Sequence, residues 1–213
     1  MNWLSLSGWA MEKSSLSSLL PHDSKITEVD YHFFDNGSFP DDRELEEFIP
    51  EGPYNIICYS MGTLIALKLC LIKKPEKMVS ICGFTHFPGF DREAKRRKLN
   101  ILQMIKGLKN NPTKTLKDFS VQAGLQLPQL KLINQSSLIK GLELLKNDDM
   151  SLASQGENIK LLSIYANNDL IVPEAITDQI VTGNGNRQKA CLAGGHGIVQ
   201  THVNNIQELI RNF

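Results

Sequence analysis

Short apolar runs alternate with amphipathic stretches along most of this chain. Six of the runs predict β-strands, because each is short, apolar and bounded by turn-forming or polar residues. The strands are Trp3 to Ser7, Ile26 to Tyr31, Asn55 to Cys58, Met78 to Cys82, Leu161 to Ala166 and Gln188 to Leu192. Helices are predicted from Asp41 to Phe48, after Ser60 to Ile72, and from Asn204 to Phe213. This alternation indicates an α/β protein with a mostly parallel sheet covered by helices on both faces.

Between residues 91 and 147 the pattern changes to helices only. Apolar residues recur there at helical spacing in two groups: Leu99, Leu102, Ile105 and Leu108, then Leu138, Leu142 and Leu145. We expect a helical lid inserted between two strands, with its apolar faces packed on the sheet or lining a pocket. The length of 213 residues suits one domain that contains this insertion.

The third predicted strand leads directly into the segment Cys58-Tyr59-Ser60-Met61-Gly62. A strand, a serine between small residues and then a helix is the layout of a nucleophile elbow, which usually reads Gly-x-Ser-x-Gly. Cys58 replaces the first glycine, and cysteine is small enough for the close passage of strand and helix. A serine after a strand is also a common helix N-cap, so the elbow needs support from other residues.

Two later segments provide that support. Asp169 lies in a polar turn after the fifth predicted strand, and His196 lies between glycines after the sixth. The order Ser60, Asp169, His196 is the one expected of an α/β-hydrolase fold. In that arrangement Ser60 attacks an acyl carbonyl and His196 takes its proton, while Asp169 holds the imidazole in the required tautomer. Taken singly, the aspartate could be a turn former and the histidine a surface-loop residue.

Acyl transfer by serine also needs hydrogen-bond donors for the developing oxyanion. In this fold one is the backbone N–H after the nucleophile, here Met61, and the other comes from the loop after an early strand. The loop Leu6-Ser7-Gly8-Trp9 places the backbone N–H of Trp9 in that role. Trp9 as a plain core residue is the alternative interpretation.

The overall charge is balanced, with 23 basic and 23 acidic residues, so it gives no general attraction to nucleic acid or to a membrane surface. Locally the charge is uneven. Residues 23–51 hold ten acidic and two basic side chains, whereas residues 91–118 hold nine basic and three acidic ones. The basic segment is either a solvated helix face or a docking surface for an acidic partner.

The four cysteines show no metal-ligand or disulfide spacing, which favours reduced thiols and a cytoplasmic location. The sequence carries no recognisable signal peptide and no apolar run of membrane-spanning length. We expect a monomer that needs no metal or cofactor.

Five segments fall in the order seen in one known family. They are Leu6 to Met11, Tyr59 to Gly62, Gly141 to Lys146, Tyr165 to Pro173, and Gly195-His196. With these segments the chain resembles the pimeloyl-[acyl-carrier protein] methyl ester esterases of biotin synthesis, the BioH type. The resemblance covers most of the chain, with gaps in the lid, and Gly141 to Lys146 is its most specific part.

The resemblance implies hydrolysis of a methyl ester on a pimeloyl chain that acyl carrier protein holds, with Ser60, Asp169 and His196 as the triad. It implies that Trp9 and Met61 form the oxyanion hole and that Phe119 contacts the acyl chain. Gln122 lies one position before the glutamine of the family, and we expect Trp9, Met61, Phe119 and Gln122 to contact the substrate. Lys114 matches a basic residue that contacts the carrier protein, and we expect Arg96 and Lys117 to share that docking role.

Cys58 and Ser7 depart from the family pattern, so the reaction type is better defined than the substrate. A short-chain carboxylesterase or thioesterase with the same machinery is the second interpretation. A hydrolase-fold binding protein that has lost catalysis is the third.

Overall fold

The computed structural model describes residues 1–128, 132–156, 158–182 and 185–213, apart from the side chains of residues 155 and 156. Its sheet has six parallel strands in the order β2-β1-β3-β4-β5-β6. The strands are β1 (Asn2–Leu6), β2 (Lys25–Glu28), β3 (Asn55–Tyr59), β4 (Met78–Ile81), β5 (Leu161–Ala166) and β6 (Arg187–Leu192).

The helices lie between the strands in sequence. They are α1 (Asp42–Glu47), α2 (Gly62–Ile72), α3 (Ala94–Asn110), α4 (Pro112–Ala123), α5 (Gln135–Asn147), α6 (Ser151–Gly156), α7 (Glu174–Val181), α8 (Ile198–Thr201) and α9 (Val203–Asn212), and a 3₁₀ helix covers Lys13–Leu19. Helix α1 begins with a capping box, in which Asp41 accepts from the backbone N–H of Glu44 and the Glu44 side chain accepts from that of Asp41.

Alternate residues of the central strands point into two separate hydrophobic cores. Ile56 and Cys58 of β3 face the core that contains α2 and α5, whereas Ile57 and Tyr59 face the core that contains the 3₁₀ helix and α9. This period of two is what a strand buried on both faces requires. The predicted doubly covered parallel sheet is confirmed.

All six predicted strands are present, and their bounds differ from prediction by a few residues. The largest difference is at β2, which ends at Glu28 rather than Tyr31. Val29 still donates its backbone N–H to the Ser5 carbonyl. His32 then adopts a positive φ of 55°, so the chain turns away from this edge of the sheet.

The region predicted to be helical, residues 91–147, contains α3, α4 and α5 between β4 and β5. The predicted apolar face of α5 is confirmed, because Leu138, Leu142 and Leu145 are buried. The predicted face of α3 is wrong at its N-terminal end, where Leu99 and Leu102 are 49% and 47% exposed. Residues three apart drift by roughly 60° per step around a helix, so this stripe starts in solvent and reaches the interior only at Leu108.

The face of α3 that lies against the protein follows mixed spacing of three and four residues. Its buried members are Arg97, Ile101 and Leu108. Within the described ranges, no helix has both the length and the apolar character that crossing a bilayer requires.

Candidate active site

Ser60 stands in a tight turn between β3 and α2. Its φ is +50°, a left-handed conformation that is uncommon for a residue with a side chain. Helix α2 begins so close to the end of the neighbouring strand β1 that a Cβ on Gly62 would lie 2.2 Å from the Leu6 carbonyl oxygen. This is the geometry predicted for the elbow, and it explains why glycine is needed at position 62.

We expect Gly62→Ala to lower the free energy of unfolding by about 3 kcal/mol, since the atoms that the new methyl meets are backbone and cannot rotate away. The backbone shift that relieves this contact also moves the loop after β1, so the rate of ester hydrolysis should fall by about 100-fold or more. Urea denaturation and steady-state kinetics measure the two effects.

Gly52→Ala is the control for this substitution. Gly52 has a positive φ of 74°, unlike Gly62, and no atom lies within 4 Å of its added Cβ. Gly52→Ala should lower the free energy of unfolding only by the left-handed backbone penalty, about 1–2 kcal/mol, and should leave the rate of ester hydrolysis unchanged. Equal stability of the two variants would mean that the elbow tolerates a side chain at position 62.

Cys58 occupies the position where the elbow usually has its first glycine. Its thiol is fully buried and lies 3.5 Å from the Val79 carbonyl oxygen, and the Thr63 hydroxyl contacts its sulfur at 3.5 Å. Thr63 also lies 3.1 Å from the Ser80 hydroxyl. Burial raises the pKa of the Cys58 thiol to about 12, so it stays neutral. The departure from glycine is therefore accommodated by a small polar pocket behind the turn.

The structure brings Ser60, His196 and Asp169 together from the ends of β3, β6 and β5. His196 Nε2 lies 3.1 Å from Ser60 Oγ, and His196 Nδ1 lies 2.7 Å from Asp169 Oδ2. The carboxyl ends of parallel strands meet at one edge of a sheet, which is why residues 136 positions apart can touch. The imidazole side chain is only 2% exposed.

The second oxygen of Asp169 fixes the orientation of its carboxylate. Oδ1 accepts hydrogen bonds from the backbone N–H groups of Ile171 and Val172, both at 2.8 Å. The other oxygen, Oδ2, faces His196 Nδ1. A buried carboxylate with all of these partners is held in one rotamer and can accept a hydrogen bond from the Nδ1–H of the imidazole, which keeps its proton.

Trp9 and Met61, the predicted oxyanion-hole residues, are both buried. The Trp9 indole donates to the Leu138 carbonyl at 2.8 Å. A Cβ on Gly141 would lie 2.8 Å from Trp9 Cδ1 and 3.2 Å from Met61 Sδ. Helix α5 therefore packs directly on both residues, and the glycine in its most family-specific segment allows that approach. The role of their backbone N–H groups stays a prediction.

A cleft of about 810 Å³, counting its solvent-open mouth, leads to Ser60. Its inner walls are apolar and include Trp9, Phe119 and Leu142. Phe119 meets Trp9 edge to face at 4.8 Å between ring centroids. The predicted substrate residues Trp9 and Phe119 thus border one space beside the serine, whereas Met61 is buried and does not line it.

Polar residues form the rim of this cleft. Gln122 and Asn100 line it and are exposed. Gln122, which was predicted to contact the substrate, therefore borders the cleft. Arg96 lines it too, and its Nε donates to Glu93 at 2.6 Å. A slot with apolar walls and a polar mouth suits an acyl chain whose far end stays in water.

The other two predicted docking residues lie on α4, outside the cleft lining. Lys114 and Lys117 are exposed, and Lys114 forms an ion pair with Asp118 one turn along the helix. The Asp118 carboxylate offsets part of the Lys114 charge. The carrier-protein contact itself stays a prediction.

Sequence reasoning missed several residues that shape the site. Arg97 is buried in the cleft wall, where its Nε donates to the Pro88 carbonyl at 2.7 Å and its Nη2 binds Asp91. Met104 lines the same wall. Tyr59 contacts the His196 carbonyl. None of these residues belongs to a local sequence motif. Arg97 lies four residues before Ile101 on α3, and this helical spacing was the one sequence signal that Arg97 faces the protein.

Two clusters in the described ranges place three metal-ligating atoms within 4.8 Å of one another. The first is Cys82, Asp169 and His196, whose last two members already bind each other. In the second, Asp30, His32 and Asp35, the carboxylates bind neighbouring groups: Asp35 pairs with His32 at 2.9 Å and Asp30 with Lys13 at 3.1 Å. Both clusters are thus occupied by protein contacts, and the expectation that no metal is needed stays a prediction.

Comparison with protein-family models and with curated protein sequences gives no match. Solved structures do match over the whole chain. An esterase from Exiguobacterium antarcticum superposes with a TM-score of 0.84 at 16% identity, covering 100% of this chain and 91% of that one. A hydrolase from Oleispira antarctica gives 0.80 at 14% identity, covering 100% and 90%.

An enol-lactonase from Burkholderia xenovorans LB400 gives a TM-score of 0.80 at 11% identity, covering 99% of this chain and 90% of that one. At such identities the likeness concerns the fold. It agrees with the six-stranded parallel sheet and its covering helices. The chain has the α/β-hydrolase fold.

Proposed function

We propose that this protein is a serine ester hydrolase. The observation that carries the proposal is the continuous hydrogen-bonded row from Ser60 through His196 to Asp169, at 3.1 and 2.7 Å, at the end of a cleft with apolar walls. The row has the distances that a nucleophile, its general base and an orienting carboxylate require.

The reaction has two halves. Ser60 Oγ attacks the ester carbonyl while its proton passes to His196 Nε2, and the oxyanion faces the backbone N–H groups of Trp9 and Met61. The tetrahedral intermediate collapses, and His196 returns the proton to the departing alcohol. Water then gives a proton to His196 and attacks the acyl-enzyme, which releases the acid and restores the Ser60 hydroxyl.

For the substrate, we propose the methyl ester of a pimeloyl chain held by acyl carrier protein, with methanol as the leaving alcohol. The sequence resemblance supports this choice, and so does the cleft. An unbranched acyl chain would lie along the apolar walls that include Phe119 and Leu142, and its carrier-bound end would leave past Arg96, Asn100 and Gln122.

The charge of the lid supports a carrier-borne substrate. Helix α3 carries six basic residues and no acidic one: Lys95, Arg96, Arg97, Lys98, Lys106 and Lys109. Two of them, Arg96 and Arg97, line the cleft. Acyl carrier proteins are strongly acidic, so this face would attract the partner toward the mouth of the site.

We expect the charge reversal Lys114→Glu/Lys117→Glu to lower kcat/KM for the carrier-bound ester by about tenfold at low ionic strength. A small soluble ester should be hydrolysed at the wild-type rate, because neither side chain lines the cleft. The defect should shrink as salt is added, since exposed charges are screened.

Lys25→Glu/Lys74→Glu makes the same change in net charge at the amino ends of strands, where Lys25 begins β2, Lys74 precedes β4 and both lysines are exposed. It should leave both substrates unaffected. An equal loss for the two double variants on the carrier-bound ester would mean that overall charge matters and that α4 is not a docking surface.

The substrate is tested by purified enzyme with pimeloyl-carrier-protein methyl ester, measuring release of methanol. Complementation of a biotin-requiring strain that lacks its own pimeloyl methyl ester esterase tests the pathway, with Ser60→Ala as the control. Failure of both by a protein that hydrolyses soluble esters would remove the biotin assignment and retain the esterase.

A carboxylesterase for small soluble esters is the second candidate. The observation in its favour is that the structural neighbours described as an esterase and an enol-lactonase share this fold. A kcat/KM for p-nitrophenyl butyrate that equals or exceeds the value for the carrier-bound ester would favour it.

A further inference from the structure

His196 lies in a stretch of backbone with unusual conformational freedom. Gly195 and Gly197 flank it, and Gly194 has a φ of +152°, a region that glycine alone enters readily. A general base has to be held within a fraction of an ångström of its partner, because small displacements cost large factors in rate. Something other than the local backbone must therefore restrain this residue.

Tyr59 provides a direct restraint. Its hydroxyl donates a hydrogen bond to the His196 carbonyl oxygen at 2.8 Å, and its ring lies 5.0 Å from the imidazole between centroids. Tyr59 is buried and immediately precedes Ser60. The bond thus ties the strand that carries the nucleophile to the loop that carries the base.

The same tyrosine ring touches the loop after β1. A Cβ on Gly8 would lie 2.6 Å from Tyr59 Cδ1, so glycine at this position lets the loop close onto the ring. Trp9, the predicted oxyanion-hole donor, is the next residue. Tyr59, itself on β3 beside Ser60, therefore contacts both the loop that carries the base and the loop that carries the predicted oxyanion-hole donor.

Cys82, at the end of β4, provides a second and weaker restraint. Its sulfur lies 3.8 Å from the same carbonyl oxygen. Burial, together with the nearby Asp169 carboxylate, raises the pKa of the Cys82 thiol and of the Tyr59 phenol. Both groups therefore keep their protons and remain donors over the pH range in which an esterase works.

We propose that Tyr59 is a positioning residue for His196: its hydroxyl holds the histidine carbonyl so that the imidazole stays aligned between Ser60 and Asp169. The inference rests on the proposed esterase function. It assigns Tyr59 no contact with substrate, so the hydroxyl should influence the rate of acyl transfer and leave substrate binding unchanged.

The test is Tyr59→Phe, which removes one oxygen and keeps the ring against Gly8 and His196. We expect kcat for p-nitrophenyl butyrate to fall by about tenfold with KM unchanged. The rate of Ser60 labelling by a fluorophosphonate should fall by a similar factor, because labelling needs the same proton transfer.

Tyr54→Phe is the matched control. Tyr54 is equally buried, and its hydroxyl also donates to a backbone carbonyl, that of Lys73, away from the cleft. Both variants lose one hydroxyl–carbonyl hydrogen bond, part-buried at Tyr54 and buried at Tyr59, so both should lose thermal stability. A tenfold loss of kcat in Tyr59→Phe alone supports positioning, whereas an equal kcat in the two variants overturns it.

Cys82→Ala and Cys82→Ser extend the test and decide it if Tyr59→Phe does not fold. Alanine removes the second donor and should lower kcat about twofold, and serine should restore it. The inference is overturned if Cys82→Ala, and any Tyr59 variant that folds, hydrolyse the ester with the wild-type kcat. If the wild-type protein itself neither labels with the fluorophosphonate nor hydrolyses the ester, the proposed function has failed, which is a separate outcome.

Discussion

Ser60→Ala is expected to lower kcat for ester hydrolysis by about five to six orders of magnitude and to abolish labelling by a fluorophosphonate. The hydroxyl is the group that attacks the acyl carbon, and His196 Nε2, 3.1 Å away, has no proton to take once the oxygen is removed. KM should change little, because the walls of the cleft keep their shape. Hydrolysis of p-nitrophenyl butyrate and intact-protein mass spectrometry measure the two effects.

Ser14→Ala is the matched control, since Ser14 is exposed on the 3₁₀ helix and does not line the cleft. It should label and hydrolyse like wild type. Labelling that persists in Ser60→Ala would place the nucleophile elsewhere. Absence of labelling in both Ser60→Ala and wild type would favour the binding protein without catalysis.

Asp169→Asn is expected to lower kcat by about four orders of magnitude with little change in KM. The reason lies in the contacts of the carboxylate. Oδ1 accepts from the N–H groups of Ile171 and Val172, so the amide oxygen of asparagine has to take that position. The amide NH₂ then faces His196 Nδ1, which must become the acceptor, and the ring proton moves to Nε2. In that tautomer the imidazole cannot take the proton of Ser60.

The measurement is steady-state kinetics together with the melting temperature, which should stay near the wild-type value because the amide preserves the shape. Asp23→Asn, on an exposed turn, makes the same chemical change and should have no kinetic effect. A loss below tenfold in Asp169→Asn would mean that another group orients the imidazole.

The sheet and the three residues of the site could be predicted from sequence for one physical reason. Apolar runs predict strands, parallel strands bring their carboxyl ends to one edge, and Ser60, Asp169 and His196 each follow a strand. Their proximity is therefore a consequence of topology. The glycine after the elbow was also predictable, since the close passage of strand and helix is part of the turn.

Contacts between residues distant in sequence could not be predicted in this way. The approach of Gly141 to Trp9 and Met61 depends on how α5 packs on the sheet, and no local pattern encodes it. The exposed Leu99 and Leu102 misled the prediction because spacing alone does not fix which face of α3 meets the protein. The bond from Tyr59 to His196 spans 137 positions and has no motif.

The hydrogen bonds that hold the lid, helices α3 to α5, in place affect which shapes of substrate can reach the site. Helix α5 is tied to the sheet by the bond from Trp9 to Leu138, and Gln135 joins it to the end of α3 through the Leu108 carbonyl at 2.6 Å.

The chain after α4 is tied in turn to α8, where Gln200 bonds the backbone of Gln126 in both directions, at 2.7 and 3.1 Å. The lid can move aside as one body only by breaking the bond from Trp9 to Leu138 and the two bonds between Gln126 and Gln200. While these bonds hold, the cleft keeps its walls on α3 and at Leu170 and Ile171, and we expect it to favour slender, unbranched chains over bulky or branched ones.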